Sequence, residues 1–475
     1  MNSLTLGLYH DLISRCAATT LDSGNSQHSR QTLQTFSSST DLRSALLTRK
    51  IDAALVSSAS LEDFIHPELA TIGVLPRLDI RTVVLLKAGW REKSTLRGAF
   101  ASETQSAVVT AFLADALPNK EQKIDWDAAN DALSALKGFW ASEWEVLAIP
   151  KYLLDLLLSE SEYVPEPFTK ISAEALGALT RIVLPLSEVP AIPGAGTVWI
   201  VASRSDSAIK PKLEALSCAA TQAAFREERR TIEHLELNPL FACVTSLCLP
   251  YGYLTYVRAK QNRSGHLAQQ LFVQSGTPLP RTQAERIFPS NEGEAQLFDR
   301  ERLELFPLPE LTNRGIWVAK AEALPTDLKL PATSVIWTAG VKTWKRLAAR
   351  GVLVNGSADG LGEDSSNPPA NLFPEVTEWL KFSHAEGIAT PERALISTYR
   401  LVPKTDLPDL NQRTHFFWSS GSAFELALSQ QPSIKPRWHA SGPGHTHRTI
   451  VQALGGSERV RIFPDYYTWR SEVVQ

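Results

Sequence analysis

Two segments of the chain echo one another, WTAGVKTWKRLAARG at residues 337 to 351 and WHASGPGHTHRTIVQALGG at 438 to 456. In each, a short apolar or aromatic run ends at Gly, a Thr follows three or four residues later, and a helical stretch leads to Leu and then Gly. An internal repeat of this form predicts two similar α/β units, each ending a strand in a Gly-rich turn that opens a helix. Such turns direct backbone N–H groups at whatever lies above them, which suits carboxylates or phosphates. Two of them facing each other would make a cleft for a polyanion. The same region also holds THFFWSSGSAFELAL from 414 and RIFPDYYTW from 461.

The rest of the chain sets the frame for that repeat. At 475 residues it is too long for one core, and roughly three to five domains are expected. Lysine and arginine (48) nearly balance aspartate and glutamate (51), so no strongly basic surface is implied and a nucleic-acid partner is not expected. The apolar run from Phe241 to Val257 is broken by Thr245, Ser246, Pro250 and Gly252, and reads as a strand pair, not a membrane span. Asp11 and the absence of a basic leading segment argue against a secretory signal. Cys16, Cys218, Cys243 and Cys248 lack paired spacing, which suits a reducing cytoplasm better than a disulfide framework or a zinc site.

Strand and helix patterns alternate along the chain, which predicts an α/β, multi-domain fold. Strands are expected at 4–9, within 73–87 and at 197–205. Residues 41–58 read as a helix running into a buried strand, 102–117 as an amphipathic helix opened by Ser102, and 145–158 as a strand turning into a helix. The stretch 355–371, rich in Gly, Ser, Asn and Pro, is the clearest loop, and 275–294 is the best domain boundary.

Residues from about 300 to 475 resemble uroporphyrinogen III synthase, which closes linear hydroxymethylbilane into the tetrapyrrole ring. Phe417-Trp418-Ser419-Ser420-Gly421-Ser422 resembles that family's Phe-Thr-Ser-x-Ser turn, and Gly442-Pro443-Gly444-His445-Thr446 its Gly-Pro-x-Thr turn with one extra residue. Gly340-Val341-Lys342-Thr343 fits the equivalent turn of the other lobe, and Ser397-Thr398-Tyr399-Arg400 the Val-Tyr-Arg segment of the interdomain strand. The first 275 residues resemble hydroxymethylbilane synthase (porphobilinogen deaminase), the preceding enzyme of the same pathway. The similarity lies in Leu42 to Leu55, Pro76-Arg77-Leu78-Asp79-Ile80-Arg81, Val189 to Gly196, and Glu228-Arg229 followed by Pro250-Tyr251-Gly252.

These resemblances imply a periplasmic-binding-protein-like deaminase fold followed by a two-domain synthase fold with parallel sheets. Deaminase-like domains 1 and 2 would span 1–210, with the second inserted at about 96–190. Domain 3 would span 211–280 and the bilobal synthase region 281–475. The deaminase pattern fails where its chemistry lies. Where that family has His-Ser-x-Lys-Asp, this chain has Val56-Ser57-Ser58-Ala59-Ser60, and Asp63 comes too late. Its Gly-Thr-Arg is Gly7-Leu8-Tyr9, and its Gly-Thr-Ser-Ser-x-Arg-Arg is Gly98-Ala99-Phe100-Ala101-Ser102-Glu103-Thr104. The attachment cysteine is Leu247, with Cys248 one place off. Losing those arginines removes charge-assisted bonds to substrate carboxylates, so this half is expected to be catalytically inert.

The synthase resemblance places Tyr399 as a catalytic hydroxyl, and Gly340, Thr343, Ser419, Ser420, Gly421, Ser422, Gly442, Pro443, Gly444, His445 and Thr446 around the substrate. The serines and threonines could equally cap helices, and Tyr399 could be a half-buried strand tyrosine. His439, His445 and His447 lie close in sequence but lack a carboxylate or Cys partner, so no metal is expected. Trp337, Trp344 and Trp418 read as core. The expected substrate is hydroxymethylbilane, cyclised with inversion of ring D and with no cofactor, in the cytoplasm. Two alternatives stay open: a non-catalytic scaffold for a tetrapyrrole intermediate, and an active deaminase with dipyrromethane on Cys248. A separate hydroxymethylbilane synthase is a further candidate partner, and a membrane is not.

Overall fold

The structure is a computed structural model and describes residues 4–9, 11–24, 31–100, 103–129, 131–159, 164, 171–261, 265–274, 277–291, 293–304, 309–362 and 368–475. Ala101 and Ser102, Ser275, Gly276 and Glu292 of the expected boundary, and 363–367 of the expected loop lie outside the described residues. The chain divides into two compact units: Met1–Thr110 with Gln122–Cys248 and Thr255–Gln269, and Ala111–Glu121 with Leu249–Leu254 and Gln270–Gln475.

The first unit opens with β1 (Leu4–Tyr9), α1 (Leu12–Gly24), β2 (Gln31–Phe36), α2 (Ser39–Leu47), β3 (Ala53–Ser57) and β4 (Leu69–Val74). Every residue of β3 is buried, as a strand covered on both faces requires. Ser38 starts α2 by accepting the Asp41 N–H at 3.0 Å. A second sheet follows, from β5 (Thr82–Leu86), β6 (Thr95–Phe100), α3 (Glu103–Ala116), β7 (Lys123–Ala128), α4 (Ala132–Trp140), β8 (Val146–Pro150), α5 (Lys151–Leu158), α6 (Ala173–Gly177) and β9 (Thr180–Val183). The chain then returns with β10 (Val198–Ser203) to the first sheet.

The two sheets share one plan. Their orders are β2-β1-β3-β10-β4 and β7-β6-β8-β5-β9, and in each the fourth strand runs against its neighbours. The second sheet therefore begins at Thr82, ahead of the expected insertion point near 96. After β10 come α7 (Lys210–Glu214), α8 (Ala219–His234), and the three-stranded sheet of β11 (Ala242–Leu249), β12 (Gly252–Gln261) and β13 (Gly265–Val273). The apolar run at 241–257 is thus a strand pair, and among the described residues no helix is long and apolar enough to cross a membrane.

Glu228 of α8 ties three parts of this unit together. Its fully buried carboxylate receives both terminal nitrogens of Arg77, at 2.5 and 3.2 Å. It also receives the backbone N–H of Gly194 at 2.8 Å and of Ser246 at 3.0 Å. One acid therefore satisfies four donors, which is how a charge can sit at zero exposure.

The second unit nests one α/β lobe within another. Beyond β13 it takes up β14 (Ile287–Phe288), inside the stretch expected as a boundary, and moves through β15 (Phe298–Arg302), β16 (Arg314–Val318), β17 (Val335–Thr338), α9 (Val341–Ala348), β18 (Gly356–Ser357), β19 (Glu378–His384) and β20 (Arg393–Pro403). It then returns with β21 (His415–Trp418), α10 (Gly421–Gln430), β22 (Trp438–Ser441), α11 (His445–Leu454), β23 (Val460–Ile462) and α12 (Tyr466–Val473). The inserted sheet, β15-β20-β19-β16-β17-β18, is parallel apart from β15, and β14-β21-β22-β23 is wholly parallel. The expected loop at 355–371 contains β18 and a short 3-10 turn at Ala370–Leu372. A strand this short lacks the alternation that marks longer ones.

Aromatic side chains build the core around the parallel sheet. Phe416 and Trp418 stack on one face with Phe288 and Phe424 beside them, and Phe417 packs with Tyr466 and Trp469 on the other. Trp337, Trp344 and Trp418 are all fully buried. His439 is a core residue, stacked on Phe416 at 5.3 Å, accepting from Trp418 Nε1 at Nδ1 (3.1 Å) and donating to the Ile434 carbonyl (3.0 Å).

Burial pushes the pKa of His439 and of the buried His447 down to about 4. As pH falls, the unfolded chain takes up these protons near its ordinary histidine value, while the folded chain resists until about 4. Stability should therefore fall from about pH 6.5 downward, by on the order of 2 kcal/mol per histidine at pH 5. Urea midpoints measured between pH 7 and pH 5 test this, and a flat profile would contradict it.

Candidate functional site

Tyr399 lies on β20 directly opposite Arg302 of β15 in the antiparallel register. Successive strand side chains alternate, so Arg300 joins Arg302 on one face while Glu301 turns to the other and pairs with Arg400 at 2.8 Å. Arg346 lies on α9, three residues beyond Thr343, and Arg350 in the turn just after the helix, seven residues beyond it. These four arginines, with Glu322, Leu324, Thr398 and Tyr399, line a cleft of about 600 Å³.

Each cation has a defined partner. Arg302 Nη2 reaches both carboxylate oxygens of Asp327 at 2.8 and 3.0 Å, and Arg346 Nη1 reaches Glu322 at 2.9 Å. Arg350 holds the carbonyls of Ala321 (2.6 Å) and Leu324 (2.7 Å), fixing the rim of the cleft. Arg300 hydrogen-bonds the Tyr399 side chain. Burial raises the Tyr399 pKa above its ordinary value, and the Arg300 charge and hydrogen bond act against that rise. At neutral pH the group is a phenol with a proton to donate. Lys320 still meets solvent yet is crowded by the surrounding chain. That crowding, then the like charges of Arg300, Arg346 and Lys342, lowers its pKa against the pull of Glu322.

The Gly-rich turns all form strand-to-helix corners. Gly340 precedes α9, Ser420 precedes α10 and Gly444 precedes α11, and no side chain caps any of the three helices. By contrast, Asp465 caps α12 through the Thr468 N–H at 2.8 Å. Thr343 and Thr446 lie inside their helices and do not cap them. Gly421 is buried against Thr449, whereas Ser419 is exposed and Ser420 and Ser422 are half-buried. Gly442 and Pro443 are half-buried and His445 is exposed.

The loop after β18 runs between the Gly340 and Gly444 turns. A Cβ built on Gly340 would lie 3.7 Å from the Gly360 nitrogen, and one on Gly444 only 2.8 Å from the Gly360 carbonyl oxygen. The two turns are thus brought together with Gly360 between them. Neither needs a left-handed backbone: Gly340 is extended at φ −164° and Gly444 has φ −90°. Around Gly442 a Cβ would meet nothing within 4 Å.

Gly340→Ala and Gly442→Ala should therefore keep the wild-type melting temperature. Gly444→Ala should lose about 1–3 kcal/mol, because its neighbour is backbone that cannot swing aside. Thermal melts followed by circular dichroism of the three variants check this; equal losses in all three would refute it.

No family model and no curated protein matches the sequence. Among solved structures the chain is similar to YhfZ from Shigella flexneri, at 11% identity over 50% of this chain and 99% of that one, with a TM-score of 0.23. It is similar to the periplasmic aliphatic sulphonate binding protein SsuA from Escherichia coli (15% identity, 50% of this chain and 76% of that one, TM-score 0.24). A mutant of the OxyR2 regulatory domain from Vibrio vulnificus stands at 14% identity, 46% of this chain and 92% of that one, with a TM-score of 0.24. Likenesses of this size assign neither a family nor an activity.

In the first unit, Ser58 and Asp63 stand near where the deaminase pattern carries its chemistry, and Arg77 and Arg81 in a stretch that matches it. Ser58 Oγ accepts from Trp199 Nε1 at 3.0 Å, and Asp63 is exposed. Arg77 is committed to Glu228, and Arg81 to Asp79 at 2.6 Å. Lys151 pairs with Asp155. The four cysteines are free thiols. Cys248, the candidate dipyrromethane carrier, is exposed, while Cys16 and Cys243 are buried and burial pushes both thiols up, Cys243 to about 12. Among the described residues no group of three His, Cys, Asp or Glu side chains is placed to hold a metal.

Proposed function

We propose that the second unit is a uroporphyrinogen III synthase and that the first is a hydroxymethylbilane synthase-like module without deaminase activity. The observation that carries this reading is the protonated Tyr399 phenol held in a cleft among four arginines. It is supported by the synthase-like motifs lying on three uncapped helix starts of one nested α/β unit.

In this reading hydroxymethylbilane lies with its acetate and propionate groups on the arginines and on the helix starts. The Tyr399 proton passes to the departing hydroxyl as the carbon–oxygen bond breaks, giving water and an N-protonated azafulvene cation, and Arg300 stabilises the phenolate left behind. Ring D attacks through its substituted carbon, and the resulting spiro intermediate fragments and recloses with ring D inverted. The proton released as the last pyrrole regains aromaticity returns to Tyr399. Holding the bilane folded favours this route over direct closure to the type I isomer.

Isomer analysis of uroporphyrinogen formed from bilane with and without the protein tests the proposal. Type III product is expected, and type I alone at the uncatalysed rate rejects it. Porphobilinogen should be left unconverted by protein free of host deaminase. Turnover there, or a dipyrromethane mass on Cys248, rejects the inert first unit.

A further inference from the structure

We infer that Arg300, Arg302 and Arg346 form a carboxylate-reading set whose ligand displaces Asp327 and Glu322. Arg300 and Arg302 share a face of β15, Arg346 reaches the same cleft from α9, and Tyr399 lies among them. The chain's own acids show what these guanidinium groups accept: Asp327 and Glu322 already occupy Arg302 and Arg346.

Both pairs are open to solvent. The side chains are 62% and 69% exposed in the Arg302 pair, and 54% and 48% in the Arg346 pair. Ion pairs in that setting contribute little, so exchange with an incoming carboxylate is inexpensive. Arg350 differs, because its guanidinium is spent on two backbone carbonyls and holds the rim in place. Arg300 has no carboxylate partner among the described residues and is the first point of capture. Lys320 adds positive charge close to Arg300 and Arg346. Cations spread over a strand and a helix match a ligand carrying several carboxylates on one frame, not a single small anion. Only the naming of that ligand as bilane rests on the synthase proposal.

The test uses uroporphyrin III, which keeps both acetate and propionate groups, against coproporphyrin III, which keeps only the propionates. Binding is read by quenching of tryptophan fluorescence. Uroporphyrin should bind the more tightly, and each of Arg300→Gln, Arg302→Gln and Arg346→Gln should weaken it by about tenfold or more. Glu322→Gln and Asp327→Asn should tighten it by freeing an arginine. A triple arginine variant, folded by circular dichroism, that binds uroporphyrin as tightly as wild type overturns the inference. So does pyrophosphate that competes as well as the porphyrin. Arginine-dependent uroporphyrin binding without type III synthesis would reject the synthase reading and keep this one. Type III synthesis at the normal rate by the triple variant would do the reverse.

Discussion

Tyr399→Phe is expected to lower turnover of hydroxymethylbilane by about a hundredfold while leaving uroporphyrin binding unchanged. Phe keeps the ring that packs beside His384, at 6.0 Å between centroids, and removes only the hydroxyl. The residue is nearly fully buried on β20, so a conserved ring shape should preserve the fold. Because burial raises the phenol pKa, the wild-type donor stays protonated across the neutral range, and its contribution should not vary between pH 7 and 9. The variant should therefore show a reduced kcat, an unchanged KM and a parallel pH profile. An unaltered kcat would strip Tyr399 of its chemical role and leave it a packing residue.

Glu228→Ala should destabilise the first unit by about 3–5 kcal/mol, since it strips the partly buried Arg77 of its carboxylate partner. Two buried backbone N–H groups, of Gly194 and Ser246, lose their acceptor as well. For a unit of this size, such a loss lowers the melting temperature by roughly ten degrees. Replacing the pair together, as Arg77→Met with Glu228→Leu, should recover part of the loss, because no charge is then left alone. Chemical denaturation of the two variants decides the matter. An unchanged midpoint for Glu228→Ala would mean that water replaces the carboxylate without penalty.

Glu228 was not legible in the sequence because charge on a helix ordinarily marks a solvated face, and AFREERRTIEH reads as one. Only the approach of Arg77 and two distant backbone N–H groups makes its burial possible. The arginine cleft was hidden for a related reason. Arg300 and Arg302 sit in a charged strand with little apolar alternation, and they meet Arg346 and Tyr399 only through the β15–β20 ladder. The Gly-rich turns were visible, since a strand pattern, a glycine and a helical pattern adjoin in sequence. What could not be read there was the Gly360 loop between them, which depends on where β18 pairs. Buried tryptophans and the β3 strand were legible because an unbroken apolar run admits few other fates.

The place of β10 sets an order on biosynthesis. It fills the gap between β3 and β4, yet it leaves the ribosome only after the whole second sheet has been made. Until residue 203 emerges, β3 and β4 can touch only across a missing strand, two hydrogen-bonding spacings or about 10 Å apart. The nascent first lobe therefore carries two unpaired edges for the entire time that its neighbour is being translated, a condition that invites pairing with other chains. A fragment ending before Val198 would inherit that condition permanently, and any excision of the second lobe must carry β10 back to its slot to yield a closed sheet.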